Sequence, residues 1–140
     1  MLISTKGRYA LRVMLDLAEH AREDRVPMKD VAARQQISLK YLEQILPRLT
    51  KSGMVEGVHG KGGGYRLTRA PEDYSIGEIL RLTEGDLAPV SCLECTAPAC
   101  PRMEGCRTRP LWEGLDKVVN TYLNSFTLAD LADNQQGKYL

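Results

Sequence analysis

The sequence has no apolar run approaching the roughly 18 residues of a membrane-spanning helix, so no membrane association is expected. Its start, Met1-Leu2-Ile3-Ser4-Thr5-Lys6-Gly7-Arg8, lacks the apolar centre of a secretory signal, and the expected location is cytoplasmic. Histidine is scarce: His20 and His59 stand isolated, and no Ser/His/Asp or paired-carboxylate arrangement accompanies them. The expectation is therefore that the protein is not an enzyme. Internal repeats and low-complexity tracts are also missing, as is an excess of one charge: 19 Lys/Arg against 18 Asp/Glu leave a formal net charge of +1.

What is present is a chain of 140 residues, 43% apolar and 26% charged, the profile of one globular domain with room for a dimerisation extension. The near-neutral total conceals an asymmetry. Residues 1–70 hold 13 Lys/Arg and 7 Asp/Glu, whereas residues 71–140 hold 6 and 11. A basic half and an acidic half suggest that the first half alone meets a polyanion.

Apolar residues Ala10, Val13, Met14, Leu17 and Ala18 recur at helical spacing, which predicts a helix from Ser4 to about Glu23. Pro27 suits a helix start, and Met28 to Gln35 reads as a short second helix. After a break at Ile37-Ser38, Ser38 caps a third helix from Leu39 to about Ser52, with Leu42, Ile45, Leu46 and Leu49 inward. Pro47 lies inside it and predicts a kink, and Gly53 supplies the stop. The period then changes. Met54 to Val58 and Tyr65 to Thr68 read as two strands joined by His59-Gly60-Lys61-Gly62-Gly63-Gly64. Two short helices, a break and a two-stranded ribbon make a helix-turn-helix with a wing. The glycine-rich turn does not fit a phosphate loop, because it joins two strands rather than a strand and a helix.

Ser75-Ile76-Gly77-Glu78 reads as a capping box opening a helix through about Leu82. Residues 85–109 carry all four cysteines and three prolines with little periodicity, which predicts a loop. A final long helix begins at Pro110, with Leu111, Leu115, Val118, Val119, Tyr122 and Leu123 as its apolar stripe, and Thr127 caps a last turn through Leu131. The expected architecture is thus mainly α: a winged helix-turn-helix over residues 1–83, a cysteine-rich cluster loop over 84–109, and a dimerisation helix with its tail over 110–140.

In a helix-turn-helix the second helix enters the major groove and its N-terminal residues reach base edges. Here those are Ser38, Lys40, Tyr41 and Gln44. Gln44 can pair with adenine through two atoms, and Lys40 can reach guanine or a phosphate. Arg48 and Lys51, further along, are placed to hold the backbone, and His59 and Lys61 on the wing are further candidate contacts to double-stranded DNA. Glu43 stands out, because a carboxylate near DNA opposes binding unless it accepts from a cytosine amine. The spacing Cys92-x2-Cys95-x4-Cys100-x5-Cys106 puts four thiols within 15 residues, which points to metal or redox chemistry. Thiolates bind both zinc and iron–sulfur clusters. One close pair and two wider gaps favour a larger inorganic core, with zinc as the alternative.

With these features in place, the sequence resembles the iron–sulfur cluster regulator (IscR-type) family of winged-helix transcription factors. The matching text is Ser4 to Ala10, Ile37 to Gln44, Gly62 to Tyr65, Gly77-Glu78, then Cys92, Cys100 and Cys106 to Leu111-Trp112. The resemblance implies a homodimer on a pseudo-palindromic operator with a 2Fe–2S cluster in each subunit. It also implies that Ser38, Tyr41 and Gln44 contact the major groove, and that Glu43 helps the cluster-free form reject one class of site. The helix from about Leu111 to Asn124 would belong to the dimer. Cluster occupancy would order the Cys92–Cys106 loop and alter operator choice, making the protein a cluster-sensing regulator, expected to repress cluster-biogenesis or stress genes.

Three positions depart from the family. Seven residues separate Cys92 from Cys100, or four if Cys95 is counted instead, where the family has five. Arg109 replaces the histidine found three positions after the last cysteine, and an arginine is no ordinary ligand. Cys95 is the expected fourth ligand, with Glu94 or a residue of the partner subunit as alternatives. His59 replaces an arginine that enters the minor groove, so Lys61 is expected to contribute more than His59. Two rival readings remain: a small iron–sulfur redox protein, which leaves the helix-turn-helix idle, and a zinc-bound or metal-free winged-helix regulator controlled by a protein partner.

Overall fold

The computed structural model describes residues 3–20 and 24–133. It contains α1 (Thr5–His20), α2 (Met28–Gln35), α3 (Leu39–Lys51), β1 (Val55–Val58), β2 (Gly64–Leu67), α4 (Ile76–Glu84), α5 (Arg109–Asn124) and α6 (Leu128–Ala132), with short 3-10 turns at Pro71–Asp73, Ser91–Leu93 and Met103–Gly105. The mainly helical architecture with a two-stranded wing agrees with the sequence pattern. The expected extension of the first helix to Glu23 falls on residues 21–23, and the tail falls on residues 134–140; both lie outside the described residues.

The apolar positions picked out by period in the first three helices form the core. Ala10, Val13 and Met14 of α1 meet Val31 of α2 and Leu42, Ile45 and Leu49 of α3, all fully buried. Burial at this level is what fixes three short helices that would not be stable alone. The turn between α2 and α3 relies on Gln36, whose φ of 54° is left-handed and closes α2 through a bond from its backbone N–H to the Ala32 carbonyl. Ser38 then caps α3, its hydroxyl accepting from the Tyr41 N–H at 3.1 Å. α3 runs through Pro47 without a break, because the apolar positions on both sides hold it against the core.

β1 and β2 pair antiparallel, Val55 opposite Leu67 and Val58 opposite Gly64. A third edge was not legible in the sequence. Val26 and Tyr65 exchange two backbone bonds, both 2.9 Å, which ties the wing to the segment before α2. Gly64 permits that approach, since a Cβ there would lie 2.7 Å from the Val26 carbonyl. Tyr74, fully buried, locks the base of the wing by donating to the Met54 carbonyl at 2.6 Å and accepting from the Thr68 and Arg69 N–H groups.

The expected capping box at Ser75 forms by halves. Ser75 accepts from the Glu78 N–H at 3.0 Å, but the Glu78 carboxylate turns to Arg69 at 2.9 Å instead of returning to the cap. The Ser75 segment is occupied elsewhere, bridging Thr127, with the Ile76 N–H bonded to the Phe126 carbonyl. At Thr127 the reciprocal box with Asp130 is complete. Through these contacts α6 folds back, and Leu128 joins the core of the N-terminal unit despite its place in the last segment of the sequence. Arg81 of α4 donates to Asn120 and Asn124, fastening α5 alongside.

Candidate nucleic-acid interface and cysteine loop

One face of α3 is spent on the core, which leaves Ser38, Lys40, Glu43, Gln44, Arg48 and Lys51 exposed. Within Leu39–Lys51 the single acid is Glu43, so the outer face is basic apart from one carboxylate. Tyr41 is half-buried against Tyr9, edge to face with centroids 5.1 Å apart, and the Arg12 guanidinium lies 5.3 Å over the Tyr9 ring. This stack fixes the Tyr41 ring beside the first turn of α3. Arg48, expected to hold the DNA backbone, also has a role within the fold. One of its nitrogens donates to the Thr83 carbonyl at 3.2 Å, joining the far end of α3 to the last turn of α4. His59 and Lys61 sit exposed at the tip of the wing. Below them Gly57 lies under the Tyr65 ring, where any Cβ would come within 2.5 Å of a ring carbon.

The helix-turn-helix is braced by a buried carboxylate the sequence reading passed over. Asp16 of α1, fully buried, accepts from Arg34 at 2.6 and 3.0 Å and from Gln35 at 2.9 Å. Burial alone would raise its pKa. The bonds from Arg34 and Gln35 and the Arg34 charge outweigh burial and hold it below the usual carboxylate range. The signal available in the sequence was an acid beside the apolar stripe of a helix, with only His20 one turn on as a local partner in the structure.

The four cysteines are free thiols, Cys92 and Cys95 exposed, Cys100 and Cys106 half-buried. They divide into two groups. Cys106 lies at the start of α5, 3.5 Å from the Thr108 hydroxyl. Bonding from that hydroxyl and from the Thr108 and Arg109 N–H groups lowers its pKa, with the Arg109 charge assisting. The Arg109 pKa is raised first by its bond to Glu113, and Cys92 and Cys100 add to the rise through charge. Cys92, Cys100 and Cys106 therefore share the electrostatic neighbourhood of Arg109. Cys95 is apart. Its N–H donates to the Asp86 carboxylate at 2.7 Å, and that neighbouring carboxylate pushes the Cys95 pKa up. Glu94, the alternative ligand, is exposed.

Among the described residues no three Cys, His, Asp or Glu side chains converge as a finished metal site. The donor set still suits an iron–sulfur centre in kind: soft thiols, unpaired and accessible, one of them acidified at a helix start. No described helix is long and apolar enough to cross a membrane.

A family model described as Rrf2, iron-dependent transcriptional regulator, matches residues 3–134. The chain is 44% identical over 131 residues to the protein rrf2 of Nitratidesulfovibrio vulgaris, covering 94% of this chain and 87% of that one. It is 40% identical over 136 residues to the HTH-type transcriptional regulator IscR of Erwinia tasmaniensis, covering 97% and 81% respectively. Among solved structures, CymR, the global cysteine regulator of B. subtilis, superposes with a TM-score of 0.79 at 36% identity, over 96% of this chain and 98% of that one. With its winged helix, the basic outer face of α3 and a family match spanning nearly every residue, the chain belongs to the Rrf2 family, whose members are DNA-binding transcriptional regulators and not enzymes.

Proposed function

We propose that this protein is a cytoplasmic, homodimeric, cluster-sensing regulator, a repressor whose choice of operator follows the state of its cysteine loop. The observation that carries the reading is the coexistence, in one chain, of a braced DNA reader and four free thiols in the loop leaving α4. Residues 1–83 form the reader, 84–109 the sensor loop, and 110–140 the dimerisation segment and tail. In the reader, Ser38, Lys40, Tyr41 and Gln44 meet the major groove, and Glu43 penalises sites that offer no cytosine amine to it. Lys61, with a smaller share from His59, meets the groove or backbone beside the wing. Arg48, with one donor held by Thr83, keeps its remaining donors for a phosphate.

A homodimer is supported by α5. Leu111 is 64% exposed, Leu115 39% and Val118 65%, large apolar side chains along one helix that the described residues leave open to solvent. A two-fold copy of the same face would cover it and set two readers on a pseudo-palindromic operator.

Cys92, Cys100 and Cys106 would hold a 2Fe–2S cluster, with Cys95 as the fourth ligand once released from Asp86. The cluster would supply a redox- and iron-sensitive centre that draws these thiols together. What the chain itself provides is an acidified thiol just before α5, with the charge of Arg109 beside it.

The test is anaerobic purification and reconstitution, with iron and sulfide counts, a visible spectrum and footprinting on the protein's own promoter. Colour with about two irons per chain, and a footprint that changes when the cluster is removed, is the expected result. Cys106→Ser should abolish iron retention and Cys95→Ser should alter the spectrum. A colourless protein that stays iron-free after reconstitution would reject the sensor, and an unchanged Cys95→Ser spectrum would reject that ligand.

A further inference from the structure

The last turn of α4 and the residues just after it are joined to three other parts of the protein through Thr83, Glu84 and Asp86. The Thr83 carbonyl accepts from Arg48 of the reading helix at 3.2 Å. The Glu84 carboxylate accepts from the Ser4 N–H at 3.0 Å and the Ser4 hydroxyl at 2.7 Å, at the start of α1. α1 and α4 approach so closely there that a Cβ on Gly7 would fall 2.2 Å from the Glu84 oxygen. Gly85 then ends the helix at a φ of 80°, with open space around it. Asp86 follows, and its two carboxylate oxygens accept from the Ala88 N–H at 2.8 Å and the Cys95 N–H at 2.7 Å. Asp86 thus closes residues 86–95 into a ring fastened to the end of α4.

We infer that Asp86 is a latch through which the cysteine loop acts on the DNA-facing helices. The inference rests on the reading that loading of the loop alters operator binding, and it names the residues that carry the effect. Cys92 sits inside the ring and Cys95 closes it, whereas Cys100 and Cys106 lie beyond. Drawing Cys92 and Cys95 toward the latter two pulls directly on the Asp86–Cys95 bond. The chain on the other side of Asp86 is Gly85, the soft point, and then the turn that grips Arg48 and Ser4. Either state of the latch therefore sets how firmly α4 holds α3 and the start of α1. Those two helices are themselves packed together at Tyr41 on Tyr9, within the reading surface.

The test uses full-length protein, with and without reconstituted cluster, and the DNA duplex that wild type protects in its own promoter. The readout is the ratio of affinities in the two states, since a purely structural role shifts both states alike and leaves the ratio intact. For wild type a ratio of about fivefold or more is expected, the lower end of coupling between sites. Asp86→Asn removes one acceptor while keeping shape. It should retain wild-type iron and sulfide per chain while its ratio falls below about twofold. In the cluster-free protein, Asp86→Asn should also speed hydrogen exchange at the Cys95 N–H and leave the Leu42 and Ile45 amides unchanged. Glu84→Gln, which alters the bonds to Ser4 and none within residues 86–95, should lower the ratio without changing exchange at Cys95. A wild-type ratio preserved in Asp86→Asn overturns the latch and leaves the sensor standing. Faster exchange at Leu42 and Ile45 as well would mark plain destabilisation and also overturn it. A ratio of one in wild type removes the sensor reading and the latch with it.

Discussion

Thr5 to Leu67 and Gly85 to Thr108 lie in one small protein but are held by different forces. In the first segment Val13, Met14, Val31, Leu42, Ile45 and Leu49 are all fully buried, and each helix is fixed by apolar contact on one face. In the second, Leu87 is the single buried residue, and shape comes from the Asp86 bonds and two short turns. Burial adds many weak contacts into a large total, whereas a bond between groups that water can reach contributes only about 1 kcal/mol net. The first segment therefore carries its own shape, while the loop can follow a group bound at its thiols, as the proposed sensor requires. A sensor is best built from such a segment, because a small binding energy suffices to rearrange it.

The contrast breaks most visibly in the core. Leu42→Ala should lower unfolding stability by about 3 kcal/mol, because it opens a cavity among fully buried neighbours. Met103→Ala, at a half-exposed site in the loop, should leave urea unfolding unchanged. Equal losses would mean that the loop is as well packed as the reader.

A smaller effect lies in the polar brace. Arg34→Met removes two of the bonds to buried Asp16 and should lower stability by about 2 kcal/mol at neutral pH. The sign in acid follows from the lowered folded-state pKa of Asp16. Its contribution is complete above the unfolded carboxyl value of about 3.9 and disappears as pH falls through the lower folded value. Urea curves of wild type and Arg34→Met should therefore converge as pH drops below about 4; a constant gap would show that the brace does not act through the carboxylate.

The smallest effect is at the wing, where stability should not change at all. Lys61→Ala should weaken operator binding by about 1 kcal/mol, and His59→Ala by less, since the histidine side chain is shorter. Titrations of both variants at fixed salt and pH check the ranking, and equal losses would overturn it.

Much of the reader was legible because helical period and turn chemistry are local. The stripe through Val13 and Leu17, the cap at Ser38 and the turn through Gly60 to Gly64 each announce themselves within a few residues. The Val26–Tyr65 bridge did not, because a single pair across 39 positions has no period. Arg48 was legible as a cation but not as a donor to Thr83, and Glu78 was legible as half of a capping box but not as the partner of Arg69. The four thiols were plain in the spacing. That three of them share Arg109 while Cys95 is held at Asp86 was not.

The order of residues alone determined that this protein has a winged reader, a thiol-rich segment and an apolar-striped last long helix, since each depends on neighbours a few positions apart. Only the folded chain decided that Val119 and Leu123 of the α5 stripe turn half-buried while Leu111 and Val118 stay exposed, that α6 returns to the first core, and that Thr83, Glu84 and Asp86 join reader to loop. Those outcomes turn on groups far apart in sequence competing for the same few donors and acceptors, and that competition is resolved only when the chain has closed on itself.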